Sequence, residues 1–114
     1  MVKNAGARFE NLVACHLMKL CCFYQDSEGR EMELRYFRDV DKREVDFVLL
    51  EASRPFHFIE CKIKGGYISN GLKYLKIRFP DVDATQVILD SDDDFMTKEG
   101  IRICPAHLFL NDFV

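Results

Sequence analysis

The run Val45-Asp46-Phe47-Val48-Leu49-Leu50 constrains the fold more than any other feature of the chain. It is apolar on both faces of a strand, so it belongs in the middle of a sheet covered on both sides. We therefore assign a strand to Glu44–Glu51. Two further strands flank it in sequence. Glu31–Arg38 alternates, with Met32, Leu34 and Tyr36 on one side and Glu33, Arg35 and Phe37 on the other, which is the pattern of a half-exposed strand. After the turn Ala52-Ser53-Arg54-Pro55, Phe56–Ile63 forms a third strand, broken by Lys64-Gly65-Gly66.

Helical spacing appears on either side of this group. Phe9, Leu12, Val13, His16, Leu17 and Leu20 predict a helix from Asn4 to Phe23, ended by the turn cluster Gln25–Gly29. Ser69 is an N-cap for a second helix carrying Leu72, Leu75 and Phe79, stopped by Pro80. Thr85–Leu89 and Ile101–Cys104 add two strands separated by the acidic loop Asp90–Asp94, and Pro105 opens a terminal helix, Ala106–Phe113. The expected order is α-β-β-β-α-β-β-α, an α/β fold with a mixed central sheet flanked by helices. Residues 1–114 read as a single domain, a length that supports a hydrophobic core.

Charge inside the buried strands carries the functional signal. Asp46 lies in the central strand, and Glu60 and Lys62 lie in the next. An ionised carboxylate in such a place costs several kcal/mol, on the order of the desolvation penalty, unless it is paired or metal-bound. Glu60 and Lys62, two apart, leave the same face. If Leu50 pairs with Phe56 across a five-residue turn, Asp46 stands opposite Glu60, with Cβ atoms about 4.5–5.5 Å apart. Two carboxylates so close call for a cation between them, and hard oxygen ligands suit Mg²⁺ or Mn²⁺. Lys62 is placed to orient a water or to stabilise developing negative charge. Glu10, beside Phe9 on the edge of the first helix's apolar stripe, can point toward the same place.

The other reactive side chains read as structural. The five cysteines, Cys15, Cys21, Cys22, Cys61 and Cys104, show neither a disulfide framework nor paired zinc-ligand spacing. His16, His57 and His107 have no partner at catalytic spacing. Asp90, Asp92, Asp93 and Asp94 do not follow the EF-hand pattern. Arg38 and Lys42 fall in or beside a solvated turn, and Lys73 and Lys76 on the wet face of the second helix.

The net charge of −3 gives no general affinity for polyanions, but residues 30–80 carry eleven positive against eight negative side chains, whereas 81–114 carry two against eight. A phosphate-attracting face is thus expected only around the strands that hold Asp46, Glu60 and Lys62. No apolar run approaches the roughly 18–20 residues of a membrane span. Met1–Gly6 lacks a secretory signal, so the cytoplasm is the expected location.

Asp46, followed after thirteen residues by Glu60-Cys61-Lys62, resembles the D…(D/E)-X-K signature of the PD-(D/E)XK, restriction-endonuclease-like nucleases. Glu10 is similar to the helix carboxylate that many members carry, and the expected α-β-β-β-α-β order resembles their core. Val45 stands where the literal motif has proline. The series Gly6–Ala14, Tyr36–Asp39, Glu44–Val48, Ile59–Lys62 and Ile103–Ala106 more closely resembles the uncharacterised nuclease-like domain at the C-terminus of many prokaryotic AAA-type ATPases. No Gly-x-x-x-x-Gly-Lys-Ser/Thr occurs, so the chain reads as an isolated domain and not as the ATPase.

The resemblance implies a Mg²⁺- or Mn²⁺-dependent nuclease hydrolysing DNA phosphodiester bonds. Asp46 and Glu60 would hold the metal with the Cys61 carbonyl as a further ligand, Glu10 would serve a second ion or its water, and Lys62 would orient the attacking water. The alternative it implies is a non-catalytic DNA- or protein-binding module of an AAA-type ATPase.

Overall fold

In a computed structural model that describes residues 5–111, a six-stranded sheet separates two apolar layers. The elements run α1 (Ala5–Glu28), β1 (Met32–Arg38), β2 (Glu44–Glu51), β3 (Arg54–Lys62), α2 (Asn70–Arg78), β4 (Asp83–Ile88), β5 (Phe95–Met96), β6 (Arg102–Pro105) and α3 (Ala106–Asn111). Across the sheet the order is β1-β2-β3-β4-β6-β5. β2 runs antiparallel to both of its neighbours, β1 and β3, while β3, β4 and β6 run parallel and β5 returns antiparallel on β6. The fold is α/β with a mixed sheet flanked by helices, as the two-faced apolarity of β2 requires.

One face is covered by α1 and α3. The buried side of α1 is Phe9, Val13, Leu17 and Cys21, a strict spacing of four, which meets Met32, Leu49, Ile59, Cys61, Val87 and Phe109. Leu12, expected within that stripe, is exposed instead. The other face is covered by α2, whose Leu72 and Leu75 pack on Val45, Val48, Phe58, Ala84 and Ile88. α2 begins at the expected cap: Ser69 Oγ accepts from Leu72 N–H at 3.2 Å.

Several boundaries differ from the sequence reading. α1 continues past Phe23 to Glu28, because the turn-forming residues serve as its last turn: Gln25 donates from its side chain to the Met32 carbonyl, and Gly29, at φ +65°, closes the helix with its N–H on the Gln25 carbonyl. The acidic loop contains an additional short strand, β5, too brief to show any alternation. Pro105 ends β6 opposite Ile88 and does not start the helix. The expected end of α3 at Phe113 lies outside the described residues.

The β2–β3 hairpin is tighter than expected. Leu50 pairs with Pro55, not Phe56, and Glu51 with Arg54, leaving a two-residue turn of Ala52 and Ser53. A register shift between Leu49 and Leu50 then restores the expected alignment, with Leu49 opposite His57, Val48 opposite Phe58 and Phe47 opposite Ile59. The early error in the turn therefore cancels before the strands reach Asp46 and Glu60.

Candidate active site

One step beyond the Phe47–Ile59 pair, side chains carry the hydrogen bonds between β2 and β3. The Asp46 N–H donates to Glu60 Oε1 at 2.9 Å, and the Cys61 N–H donates to Asp46 Oδ2 at 2.9 Å. Each carboxylate thus accepts an amide of the opposite strand. The geometry keeps both acids at the same end of the sheet and engages one oxygen of each with a backbone amide. Lys62 Nζ lies 3.7 Å from Glu60 Oε2.

Glu10 joins this pair from α1. Its carboxyl is within hydrogen-bonding reach of Asp46, and burial first, then the Asp46 charge, raise its pKa. The Asp46 pKa is also raised, chiefly by burial, against the lowering effect of the Cys61 amide and Lys62. Glu60 is pushed up to about 7 by burial and by Asp46, with the Asp46 amide and Lys62 pulling the other way. Three acids and one lysine make a crowded, proton-retaining cluster, the electrostatic condition under which a divalent cation is favourable.

The donor set, hard carboxylate oxygens in negative excess, fits Mg²⁺ or Mn²⁺. The arrangement is nevertheless not a closed ligand cage: among the described residues, no three or more His, Cys, Asp and Glu side chains stand at cation-holding geometry. Cys61 contributes no sulfur ligand, since its side chain is buried in the α1-side core and burial pushes its thiol pKa up strongly. Only its carbonyl remains for the expected role.

Glu60 and Lys62 open onto a cleft of about 280 Å³, walled by the turn Asp41–Glu44, by Tyr67 and by Ser69, Asn70 and Gly71 at the start of α2. Asp46 and Glu10 are not among its wall residues. Of the two basic residues weighed in the preceding turn, Lys42 lines the cleft, whereas Arg38 is paired with Glu44. Arg43, also on the wall, is held by Asp39 and Asp41 and lies 3.7 Å over the Tyr74 ring. Lys76 is not a solvated lysine: its Nζ donates to the Pro80 and Val82 carbonyls.

Two residues that build the cleft escaped the sequence reading. Gln86, fully buried on β4 and in register with Glu60, accepts the Ser69 N–H at 2.9 Å and donates to the Tyr67 carbonyl at 2.8 Å. It clamps the β3–α2 connection, so that Lys62 Nζ sits 5.2 Å from the Tyr67 ring centroid. Gly71 permits α2 to approach β2: a Cβ there would lie 2.0 Å from the Glu44 carbonyl oxygen. A buried glutamine between strand residues was the one available signal for Gln86; a glycine inside a helical stretch was the signal for Gly71.

The remaining candidates are structural. His57 Nε2 is 2.8 Å from Thr85 Oγ1, and His16 Nδ1 is 2.9 Å from its own helix at the Leu12 carbonyl. Asp94 in the acidic loop holds Arg102 through both carboxylate oxygens at 3.0 Å. No helix among the described residues is long and apolar enough to cross a membrane.

No curated protein and no solved structure matches the chain. A family described as a domain of unknown function, DUF4143, matches residues 5–109, which is nearly the whole chain, and the chain therefore belongs to the DUF4143 family.

Proposed function

We propose that this domain is a Mg²⁺- or Mn²⁺-dependent nuclease of PD-(D/E)XK type that hydrolyses DNA phosphodiester bonds. The observation that carries the reading is the reciprocal Asp46–Glu60 arrangement with Lys62 beside Glu60 at the mouth of a cleft. The α-β-β-β-α-β order from α1 to β4 supports it further. Asp46 and Glu60 would hold the cation through the oxygens not spent on backbone amides, with the Cys61 carbonyl and Glu10 adjoining. The cation would supply Lewis-acid stabilisation of the charge that develops on the phosphoryl oxygens. Lys62 orients the attacking water and offers a positive charge to the phosphate, while Lys42 and the first amides of α2 favour an anion in the cleft.

The test is nicking of supercoiled plasmid and cutting of single-stranded DNA in Mg²⁺ and Mn²⁺, with Asp46→Asn and Lys62→Ala beside the unaltered protein. Metal-dependent cleavage that disappears in both variants supports the proposal. Absence of cleavage by folded protein removes it.

One observation favours a second reading, a non-catalytic DNA- or protein-binding module of an AAA-type ATPase. The carboxylates already satisfy backbone amides, and no group of three ligands is preassembled among the described residues. Such a scaffold has no reason to bind metal, so its melting temperature would be unmoved by millimolar Mg²⁺ or Mn²⁺. A cation-holding site would be stabilised.

A further inference from the structure

A second cleft adjoins the first. Its volume is about 230 Å³, and it lies between the Gly65–Ile68 segment and the strap that runs from Ser91 through β5 to Thr97. Tyr67 and Gln86 line it; Tyr67 also lines the cleft of Glu60 and Lys62, so the two share a wall. Its floor is apolar, from Ile88 and Ile103. Two aromatic side chains stand at it with large exposed areas: Tyr67 is 73% and Phe95 52% solvent-exposed. Neither ring belongs to the two core layers, and Tyr67 meets Lys62 Nζ at 5.2 Å on the side of the first cleft.

The surroundings select what fits between them. The volume falls below the roughly 300–1,000 Å³ of pockets for drug-sized ligands, and so suits one ring system. Asp93 lines the cleft, and the neighbouring Asp90 and Asp92 form no ion pair among the described residues. This acidic rim repels a phosphate, whereas the adjoining cleft sets Lys62, Lys42 and the α2 N-terminus beside Asp41, Glu44 and Glu60, and would attract one once a divalent cation offsets those acids. Charge thus separates the two clefts into an anion side and a side for an uncharged, hydrogen-bonding ring, joined at Tyr67.

We infer that the second cleft receives an unpaired nucleobase, held by Tyr67 and Phe95, of a strand whose phosphate lies in the first. Ser91, Asp93 and Thr97 offer hydrogen-bonding groups at the ring edge, and the two aromatic faces tolerate any base. A base enters such a cleft only when it is out of the duplex stack, so the substrate class is single-stranded or locally unpaired nucleic acid. This rests on the proposed function and adds the form of the substrate.

The experiment is binding of a single-stranded oligonucleotide carrying one internal 2-aminopurine, and of a blunt duplex of the same sequence, with Ca²⁺ as the only divalent ion. Anisotropy of an end label gives affinity, and 2-aminopurine emission reports stacking. The expected result is quenching on binding and a loss of single-strand affinity of roughly five- to hundredfold in Phe95→Ser, the range for removing one base–aromatic stack. Phe95→Leu, which keeps an apolar side chain in place, should show a loss in the same direction. Tyr36→Ser, at the far edge of the sheet on β1, should show none. Unquenched emission, with equal single-strand affinity in both Phe95 variants and the unaltered protein, overturns the base cleft while the nuclease reading stands. Failure to bind either oligonucleotide, with plasmid left uncut, overturns both.

Discussion

Asp46 and Glu60 hold each other's strands: the Asp46 amide donates to the Glu60 carboxylate, and Asp46 itself accepts from the amide of Cys61. This exchange separates the structural work of the two acids from their charge. Asp46→Asn keeps an oxygen for the Cys61 N–H and removes the negative charge that raises Glu60. It should melt within about 1 kcal/mol of the unaltered protein while losing metal-dependent cleavage and the metal-dependent shift in melting temperature. Asp46→Ala leaves the Cys61 amide without its acceptor and should cost about 1–3 kcal/mol in denaturant unfolding. Equal stability of the two variants would show that the hydrogen bond contributes nothing.

Two buried groups on β3 shape the pH dependence of stability in opposite senses. Glu60, raised toward 7 by burial and by Asp46, holds its proton longer in the folded state than in the unfolded chain. Its contribution is fully present below about pH 4.5 and is lost as pH rises through 7. His57 behaves in the opposite sense. Burial lowers its pKa to about 4, with Asp83 opposing and Arg102 and Lys76 assisting, so its contribution is present above about 6.5 and lost as pH falls toward 4. The two oppose each other between about pH 4.5 and 6.5 and flatten the profile. In thermal melts without divalent ions, His57→Asn should therefore lose stability steadily as pH rises across this window. Glu60→Gln should gain it, each limb being on the order of 2 kcal/mol. Parallel profiles in the two variants would refute the assignment.

Ala52 and Ser53 form the β2–β3 turn with φ of +50° and +67°, a conformation that favours glycine and asparagine. Each non-glycine residue there is strained by about 1–2 kcal/mol. Replacing the pair by Asn-Gly should raise stability by about 0.5–1 kcal/mol and leave cleavage untouched, since the register shift at Leu49–Leu50 isolates the turn from Asp46. Chemical denaturation measures the gain. A decrease would mean that the turn does not adopt this geometry.

That hairpin also shows what could be read from the chain and what could not. The apolar faces of Val45–Leu50 fix β2 as an interior strand, and the alternation through Glu60 and Lys62 fixes which side chains share a face. Those periodicities survive small errors in the loops, and so Asp46 falls beside Glu60 although the sequence suggests a longer turn than the two residues Ala52 and Ser53. The turn itself was hidden because neither Ala52 nor Ser53 is a residue whose chemistry announces a left-handed conformation. β5 was hidden because two residues carry no period, and the reach of α1 to Glu28 because turn-type residues there continue the helix, with Gln25 bonded to the Met32 carbonyl and Gly29 closing the last turn. Gln86 and Gly71 belong to a third kind: their roles depend on which backbone lies across from them, a relation created only when α2 docks on the sheet.

Gly71 gives that relation its sharpest test. The ideal Cβ position at Gly71 lies 2.0 Å from the Glu44 carbonyl oxygen and 2.7 Å from its carbon, backbone atoms that have no rotamer with which to yield. Any side chain must push the first turn of α2 away from the start of β2. Both segments wall the Glu60–Lys62 cleft, and Leu72, the next residue, is fully buried in the α2-side core. Gly71→Ala should accordingly cost about 1–3 kcal/mol, the range for overpacking, in spite of alanine's higher helix propensity. Asn70→Ala, exposed one residue earlier, should shift stability by less than about 1 kcal/mol. If docking of α2 shapes the cleft, Gly71→Ala also weakens binding of a labelled oligonucleotide at temperatures where the variant remains folded. A variant as stable as the unaltered protein would mean that α2 does not approach β2 this closely, and the cleft wall drawn from Ser69 to Gly71 would fall with it.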